Sequence, residues 1–301
     1  MSIVIVGTVA FDSVETPSGK ADNVLGGSAT YAAYSASFFT PVQLVSVVGD
    51  DFPAAEISAF NERGIDTEGL EIQAGGATFR WQGYYGDDLN AAQTLATDLN
   101  VLETFDPKLP AAYQSAPYLF LGNFDPSLQL KAIRQMRTRP QLIILDTMNL
   151  WIDIKRDDLI TTISEVDMVI LNDGEAKALT GESNLVRAAA LIKGWGPRIV
   201  IIKKGEHGAL LFDEHGVFAA PAYPLEEVFD PTGAGDSFAG GLVGYLARCE
   251  GSAGDNLRKA VVYGSVMASF NVEDFTLNRF RRLTEAEIEA RFAQFQQLAR
   301  F

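Results

Sequence analysis

Six short aliphatic runs recur along this chain: Ile3–Val6, Gln43–Val48, Tyr118–Leu121, Leu142–Leu145, Met168–Leu171 and Ile199–Ile202. They are apolar at consecutive rather than alternate positions, so they read as strands buried on both faces. Between them lie helical patterns, over Ser28–Phe39, Pro53–Arg63, Ser127–Arg137 and Asn184–Lys193. Strand–helix alternation joins parallel strands by helical crossovers. The predicted fold class is therefore α/β: a three-layer α/β/α sandwich around a mostly parallel sheet. Ala209–Phe212 and Val217–Ala219 flank Asp213-Glu-His-Gly216 and predict a hairpin. From Asp236 onward the pattern is helical, over 236–248, 254–271 and 284–299.

Two stretches break the pattern. Residues 12–25 are polar and loop-like, and 70–100 contain the β-rich aromatic run Ala77-Thr-Phe-Arg-Trp-Gln-Gly-Tyr-Tyr85. Neither has the composition of a linker, and there are no internal repeats. Both read as parts of a small β lid inserted into one domain spanning 1–301. Such a lid has a free sheet edge, which suits a homodimer.

Composition removes several functional classes. The single cysteine, Cys249, cannot close an internal disulfide, and two histidines, His207 and His215, exclude a Cys/His zinc site. Both histidines sit in loop-like, solvent-facing contexts. The net charge of −15 is spread along the chain and disfavours nucleic acid and anionic membranes as partners. No apolar run approaches the roughly 20 residues of a membrane span. Met1–Gly7 has no Lys or Arg before Lys20, so it reads as a buried strand rather than a secretory leader. The expected location is the cytoplasm, which suits a lone thiol.

The chemistry concentrates in Asp230-Pro-Thr-Gly-Ala-Gly-Asp-Ser-Phe-Ala-Gly-Gly241, which opens an apolar helix. Gly233, Ala234 and Gly235 can converge backbone N–H groups on an anion, and the helix start adds a positive dipole end. Asp236 at that start can take a proton from a hydroxyl. The bland alternative is a tight turn with Asp236 as a helix cap. No Lys-Ser/Thr follows the glycines, so this is not a Walker A loop. Nor is it a dinucleotide fingerprint, which belongs after the first strand.

Four further motifs accompany that string: Gly26-Gly-Ser-Ala-Thr30, Val47-Val-Gly-Asp-Asp51, Asn172-Asp-Gly-Glu175 and Lys204-Gly-Glu-His-Gly208. In this order they resemble the motifs of the PfkB (ribokinase-like) carbohydrate and nucleoside kinases, and the resemblance covers nearly the whole chain. It implies ATP- and Mg²⁺-dependent phosphoryl transfer to an alcohol, with Asp236 as general base and the amides of Gly233, Ala234 and Gly235 as anion hole. It places Asn172 on the nucleotide side and Glu175 near Mg²⁺ through water, although the pair also fits a helix capping box. It assigns nucleotide contacts to Lys204, Gly205 and Gly208, and makes Ser269 and Asn271 candidates for the adenine side. Asp230 and Thr232 resemble positions that hold K⁺ in many members; Asp230 also suits a turn before Pro231.

On the acceptor side, the resemblance implies contacts from Asp12, Gly26 and Gly27. Asp12 follows the first strand, at the sheet edge where ligands of open α/β folds collect. Tyr31 departs from the pattern, standing where many members carry Asn. It suits a bulkier acceptor, a nucleobase or simple core packing. Arg80, Trp81 and Tyr84 on the lid are further acceptor candidates. Strand alternation puts Arg80, Gln82 and Tyr84 on one face and Phe79 and Trp81 on the other. Asn123, Asp125, Asp146 and Asn149 follow apolar strands and could line the same crevice. The favoured acceptor is a small sugar or sugar derivative. The alternatives are an adenosine-like nucleoside acceptor on the same fold, or a non-catalytic ligand-binding regulator. An intact Gly-Ala-Gly-Asp argues against the regulator.

Overall fold

A computed structural model describes residues 1–249 and 253–300. Residues 250–252 and 301 of the expected single domain lie outside that description. The strands are β1 (Ile3–Val6), β2 (Ala10–Thr16), β3 (Gly19–Gly26), β4 (Val42–Gly49), β5 (Ile65–Gln73), β6 (Arg80–Tyr85), β7 (Ala92–Asp98), β8 (Tyr118–Leu121), β9 (Leu142–Asp146), β10 (Met168–Asn172), β11 (Ile199–Lys203), β12 (Ala209–Asp213) and β13 (Gly216–Ala220). The helices are α1 (Ser28–Ala36), α2 (Ala54–Glu62), α3 (Pro126–Arg134), α4 (Asn149–Ile154), α5 (Arg156–Ile163), α6 (Asp173–Thr180), α7 (Leu185–Gly194), α8 (Ala234–Arg248), α9 (Ala253–Asn271), α10 (Asn278–Arg282) and α11 (Glu285–Leu298).

Nine strands form the main sheet in the order β13-β12-β11-β10-β9-β8-β1-β4-β5. All its pairings are parallel except β11–β12 and β12–β13, the hairpin at one edge. The aliphatic strands are continuous in hydrophobicity because each feeds two cores. In β1, Ile3 and Ile5 join the core under α1, α8 and α9, while Val4 and Val6 join the core under α3, α5, α6 and α7. That is the three-layer α/β/α arrangement. Among the described residues, no helix is long and apolar enough to cross a membrane.

The packing of α1 on α8 sets the site. A methyl on Gly240 would lie 2.2 Å from the Ala32 carbonyl oxygen, and one on Gly244 2.8 Å from the Ala36 Cα. These contacts require glycine, and they draw the start of α8 over the buried helix α1.

A second, four-stranded sheet runs β3-β2-β6-β7. Here the sequence reading needs correction. The polar segment 12–25 is not loop-like: it is most of the antiparallel pair β2–β3. Leu70–Gln73 belongs to β5 in the main sheet, so the small sheet takes only 80–98 from the second segment. β3 escaped notice because it is an exposed strand, Gly-Lys-Ala-Asp-Asn-Val-Leu-Gly, with little apolar alternation. Hydrogen bonds tie this sheet to the signature segment. Thr16 Oγ1 donates to the Phe229 carbonyl at 2.8 Å, and Ser18 Oγ to the Val228 carbonyl at 3.0 Å.

Candidate active site

The main sheet reverses its strand order at β1, between β4 and β8, and the crevice beyond those strand ends is where ligands of open α/β sheets bind. Five chain segments converge there: β2 and the Gly26-Gly27 turn, the end of β9, the β10–α6 junction, the end of β11, and the start of α8.

Gly233 caps α8 with φ 74, and a methyl there would lie 2.3 Å from the Tyr31 ring. Only glycine meets both conditions. The amides of the expected anion hole are not equivalent. Ala234 donates its N–H to the Pro231 carbonyl at 3.2 Å, whereas those of Gly233 and Gly235 have no backbone partner among the described residues. Asn271 sits behind this turn. Its Nδ2 donates to the Thr232 carbonyl at 2.8 Å and its Oδ1 accepts from Ser237 Oγ at 3.0 Å. At 1% exposure, Asn271 holds the loop in shape through these two bonds.

Asp236 lies in the first turn of α8. Burial and the charge of Asp146 push its carboxyl up to about 7, against the opposing pull of Lys203. Asp146 ends β9 at 3% exposure; its Oδ1 accepts the Thr147 N–H at 2.8 Å and its Oδ2 pairs with Lys203 Nζ at 3.0 Å. Lys203 ends β11 and, although only 17% of its side chain is exposed, stays protonated because Asp146, Glu175 and Asp236 surround it.

Asn172 and Glu175 form a capping box. Asn172 Oδ1 accepts the Glu175 N–H at 2.8 Å, and Glu175 Oε2 accepts the Asn172 N–H at 2.7 Å. The box occupies one carboxylate oxygen and leaves Oε1, so a hard cation carrying water fits the same side chain. Burial, partly offset by Lys203, pushes Glu175 up to about 7. Among the described residues no three His, Cys, Asp or Glu side chains are grouped to hold a metal by themselves. A Mg²⁺ held here would draw its remaining ligands from phosphate and water.

The segment after β11 is shaped by backbone. Lys204 donates its N–H to the Gly208 carbonyl at 2.7 Å, closing a loop around a single 3₁₀ turn, Gly205–His207. Gly205 and Gly208 have φ of 53 and 83. A methyl on Gly205 would lie 2.0 Å from Asn90 Oδ1, at the tip of the β6–β7 hairpin. Asn90 Nδ2 also donates to Glu206 Oε2 at 2.7 Å, so the small sheet reaches across to this loop. His207 and His215 are exposed.

On the acceptor side, Asp12 is 4% exposed, and a methyl on Gly26 would lie 1.9 Å from its Oδ2. Burial pushes Asp12 up to about 7; the Gly27 N–H opposes that, and the charges of Asp230 and Asp236 add to it. Gly27, with φ 94, caps α1. Tyr31 is 1% exposed, its hydroxyl has no partner among the described residues, and its ring lies under Gly233. Asp230 is fully buried. Its oxygens accept the N–H groups of Thr232 at 2.9 Å and Thr276 at 3.1 Å, and no cationic side chain pairs with it among the described residues. A buried carboxylate supplied only with neutral donors suits a bound monovalent cation. Thr232 Oγ1 donates to the Tyr85 hydroxyl at 3.3 Å, joining β6 to the signature.

Register separates the lid candidates. In the β2–β6 pairing, Phe11 faces the same side as Arg80 and Asp12 the same side as Trp81. Arg80 lies over the Phe11 ring, 5.0 Å from its centroid, and binds Asn23 and Asp51 Oδ2, the latter at 2.6 Å. It therefore supports the sheet from the side opposite Asp12. Exposed Tyr84 shares the Arg80 side. Trp81 is the residue on the Asp12 side. Its ring lies across Gly83, where a methyl would come 2.0 Å from Cη2, and its Nε1 donates to Thr94 Oγ1 at 3.2 Å. Of the strand-end candidates, Asn123 accepts from Trp151 Nε1 at 2.8 Å, and Asp125 pairs with Lys155 at 2.6 Å. Sequence reasoning missed Lys203 and Tyr85. Lys203 reads as the last residue of a strand, and its partner Asp146 is 57 residues away along the chain, brought beside it only by the fold.

Residues 2–279 match the family described as pfkB family carbohydrate kinase. The chain is 32% identical over 252 residues to the cytidine kinase of Thermococcus kodakarensis, covering 81% of this chain and 88% of that one. It is 27% identical over 295 residues to a nucleoside kinase of Methanothermobacter thermautotrophicus, covering 90% and 89%. The ribokinase structure from Giardia lamblia superimposes with a TM-score of 0.80 at 18% identity, covering 98% of this chain and 99% of that one. The chain belongs to the pfkB family of carbohydrate kinases. It is a phosphotransferase, a nucleoside or sugar kinase, of a family that uses ATP and usually a divalent metal.

Proposed function

We propose that this kinase transfers the terminal phosphoryl group of ATP to a hydroxyl of a nucleoside, with Asp236 as general base. One arrangement carries the reading. Asp236 stands beside the open N–H groups of Gly233 and Gly235, near Asp12, and Trp81 lies on the same side of the small sheet as Asp12. Asp12 can accept two hydroxyls of a ribose, and the indole over Gly83 offers a flat apolar surface to a base. A free sugar would use Asp12 and leave Trp81 without a task. The similarity to a cytidine kinase and a nucleoside kinase supports the same choice.

In the reaction, Asp236 takes the acceptor proton as the oxygen attacks phosphorus, which contributes roughly 10²–10⁴ in rate. The Gly233 and Gly235 amides and the α8 dipole stabilise charge on the transferred group. Glu175 and Asn172 would hold Mg²⁺ through water, where it neutralises phosphate charge. Asp230 and Thr232 would hold K⁺ behind the anion hole. The loop of Lys204, Gly205 and Gly208 would bound the nucleotide. β7, exposed along its length, leaves a sheet edge at which we place a homodimer. The single thiol, Cys249, fits the reducing cytoplasm, where we place the enzyme.

A coupled ADP-release assay with ATP and Mg²⁺, with and without K⁺, tests this against nucleosides, pentoses, hexoses and polyols. Turnover on nucleosides that disappears in Asp236→Asn is the expected result. Turnover confined to free sugars would replace the acceptor class and leave the kinase chemistry standing.

A further inference from the structure

Lys203 lies outside every motif of the sequence, yet its ammonium stands among the carboxylates of the donor side. Asp146 Oδ2 is 3.0 Å from Nζ, and the side chain is 17% exposed. The β10–β11 register sets Lys203 directly beside Asn172, the residue that opens the capping box. On the other side is the anion hole: a methyl on Gly235 would lie 2.8 Å from Nζ. Glycine at 235 thus does more than free the backbone N–H. It lets an ammonium approach the turn that would receive the transferred phosphoryl group. An ammonium has three donors. Among the described residues only Asp146 accepts from this one, so two donors remain next to the anion hole.

A buried ion pair made only for stability is a weak expectation, since desolvation opposes the Coulomb gain and apolar replacements often serve as well. A cation at this position has a chemical use. During transfer the bond between the terminal phosphorus and the ADP oxygen breaks, and a bond to the acceptor oxygen forms. The acceptor proton passes to Asp236, and negative charge is carried by the phosphoryl oxygens and the departing ADP. A fixed positive charge beside those oxygens stabilises the transition state without moving a proton.

We propose that Lys203 is a catalytic residue that contacts the transferred phosphoryl group, held in place by Asp146 and admitted by the missing side chain of Gly235. The inference rests on the phosphoryl-transfer reading. Asp146 keeps the flexible lysine aimed while the nucleotide is absent. On binding, the two remaining donors take phosphoryl oxygens and the Asp146 contact persists.

The test compares wild type with Lys203→Met, Lys203→Arg and the double variant Lys203→Met/Asp146→Asn, which removes both charges so that neither is left buried alone. Melting curves confirm folding. With the best nucleoside of the panel, Lys203→Met is expected to lower kcat about 10²–10³-fold, the loss typical of one missing oxyanion donor, with acceptor KM within about threefold. Lys203→Arg recovers part of the loss. The double variant stays as slow as Lys203→Met. Calorimetry gives a readout independent of turnover: any preference of wild type for ATP over ADP collapses in Lys203→Met, while ADP affinity holds. Two results overturn the inference. One is a kcat for Lys203→Met within about threefold of wild type. The other is recovery in the double variant, which would reduce Lys203 to a neutraliser of Asp146. If no acceptor turns over, the phosphoryl-transfer reading fails, and an unchanged ATP-to-ADP ratio in Lys203→Met then sinks the role of Lys203 separately.

Discussion

Asp146 and Asp12 are buried alike, at 3% and 4% exposure, but in opposite electrical company. Asp146, on the donor side, is paired with Lys203, whose charge also reaches Glu175 and Asp236. Asp12, on the acceptor side, has among the described residues only the Gly27 N–H to oppose its burial, and the neighbouring charges are those of Asp230 and Asp236. Tyr31 completes that side with a buried hydroxyl that has no partner among the described residues. The donor side carries its own positive charge. The acceptor side is short of donors and of positive charge, which an acceptor polyol and a monovalent cation would supply. Unsatisfied buried polar groups cost stability, and here the cost falls where a ligand can relieve it.

The largest effect is expected at Asp236, which both sides share. Asp236→Asn is expected to lower kcat by about 10²–10⁴-fold with ATP affinity nearly unchanged, and single-turnover kinetics would show it. In wild type, the base form of Asp236 appears as pH rises through about 7. The logarithm of kcat/KM should therefore climb with pH up to about 7 and then level off; a profile flat from pH 5 to 8 contradicts the assignment.

Next in size is the acceptor platform. Trp81→Ala should raise nucleoside KM by roughly 5–150-fold, from about 1–3 kcal/mol of base stacking, with nucleotide affinity unmoved. An equal loss for nucleotide and nucleoside would mean that the small sheet had come apart instead.

Asp12→Asn probes the acceptor side through stability. The folded carboxyl titrates near 7 and the unfolded one near 3.8. A raised carboxyl favours the folded state below the lower value, and that contribution is lost as pH rises through about 7. The asparagine variant, though inactive, should therefore be more stable than wild type at pH 8, by on the order of 1–3 kcal/mol. The gain should fade toward pH 4. Denaturant melts at the two pH values decide it, and a variant less stable at pH 8 would show that Asp12 already has its counter-charge.

The smallest effect is a control. Lys177 and Asp173 form an exposed pair one turn apart on α6, with side chains 44% and 40% exposed. Lys177→Ala should change stability by under about 0.5 kcal/mol, because water screens what burial amplifies around Lys203. A loss above about 1 kcal/mol would mean that surface pairs here are not screened as assumed.

Much of the fold was legible because β1, β4 and β8–β11 are buried on both faces and write their positions as aliphatic runs. The hairpin β12–β13 and the long helices near the C-terminus were equally plain. The small sheet was legible only in part. β3 carries exposed polar residues, and β5 passes as lid sequence until its pairing with β4 is known. In the site, residues within motifs could be named from the string alone. Arg80 and Asn271 could not be placed, because strand facing and hydrogen-bond partners are settled by neighbours far along the chain.

The sequence by itself determined the layered α/β architecture, the family and the Gly-Ala-Gly-Asp turn. Periodicity, glycine and a helix start are local properties that a string can carry. Only the tertiary structure decided that Lys203 reaches Asp146 and Gly235, that Trp81 rather than Arg80 shares the side of Asp12, and that Tyr31 lies under Gly233. Those facts depend on strand order, register and helix packing. Each brings together residues whose distance along the chain says nothing of their distance in space.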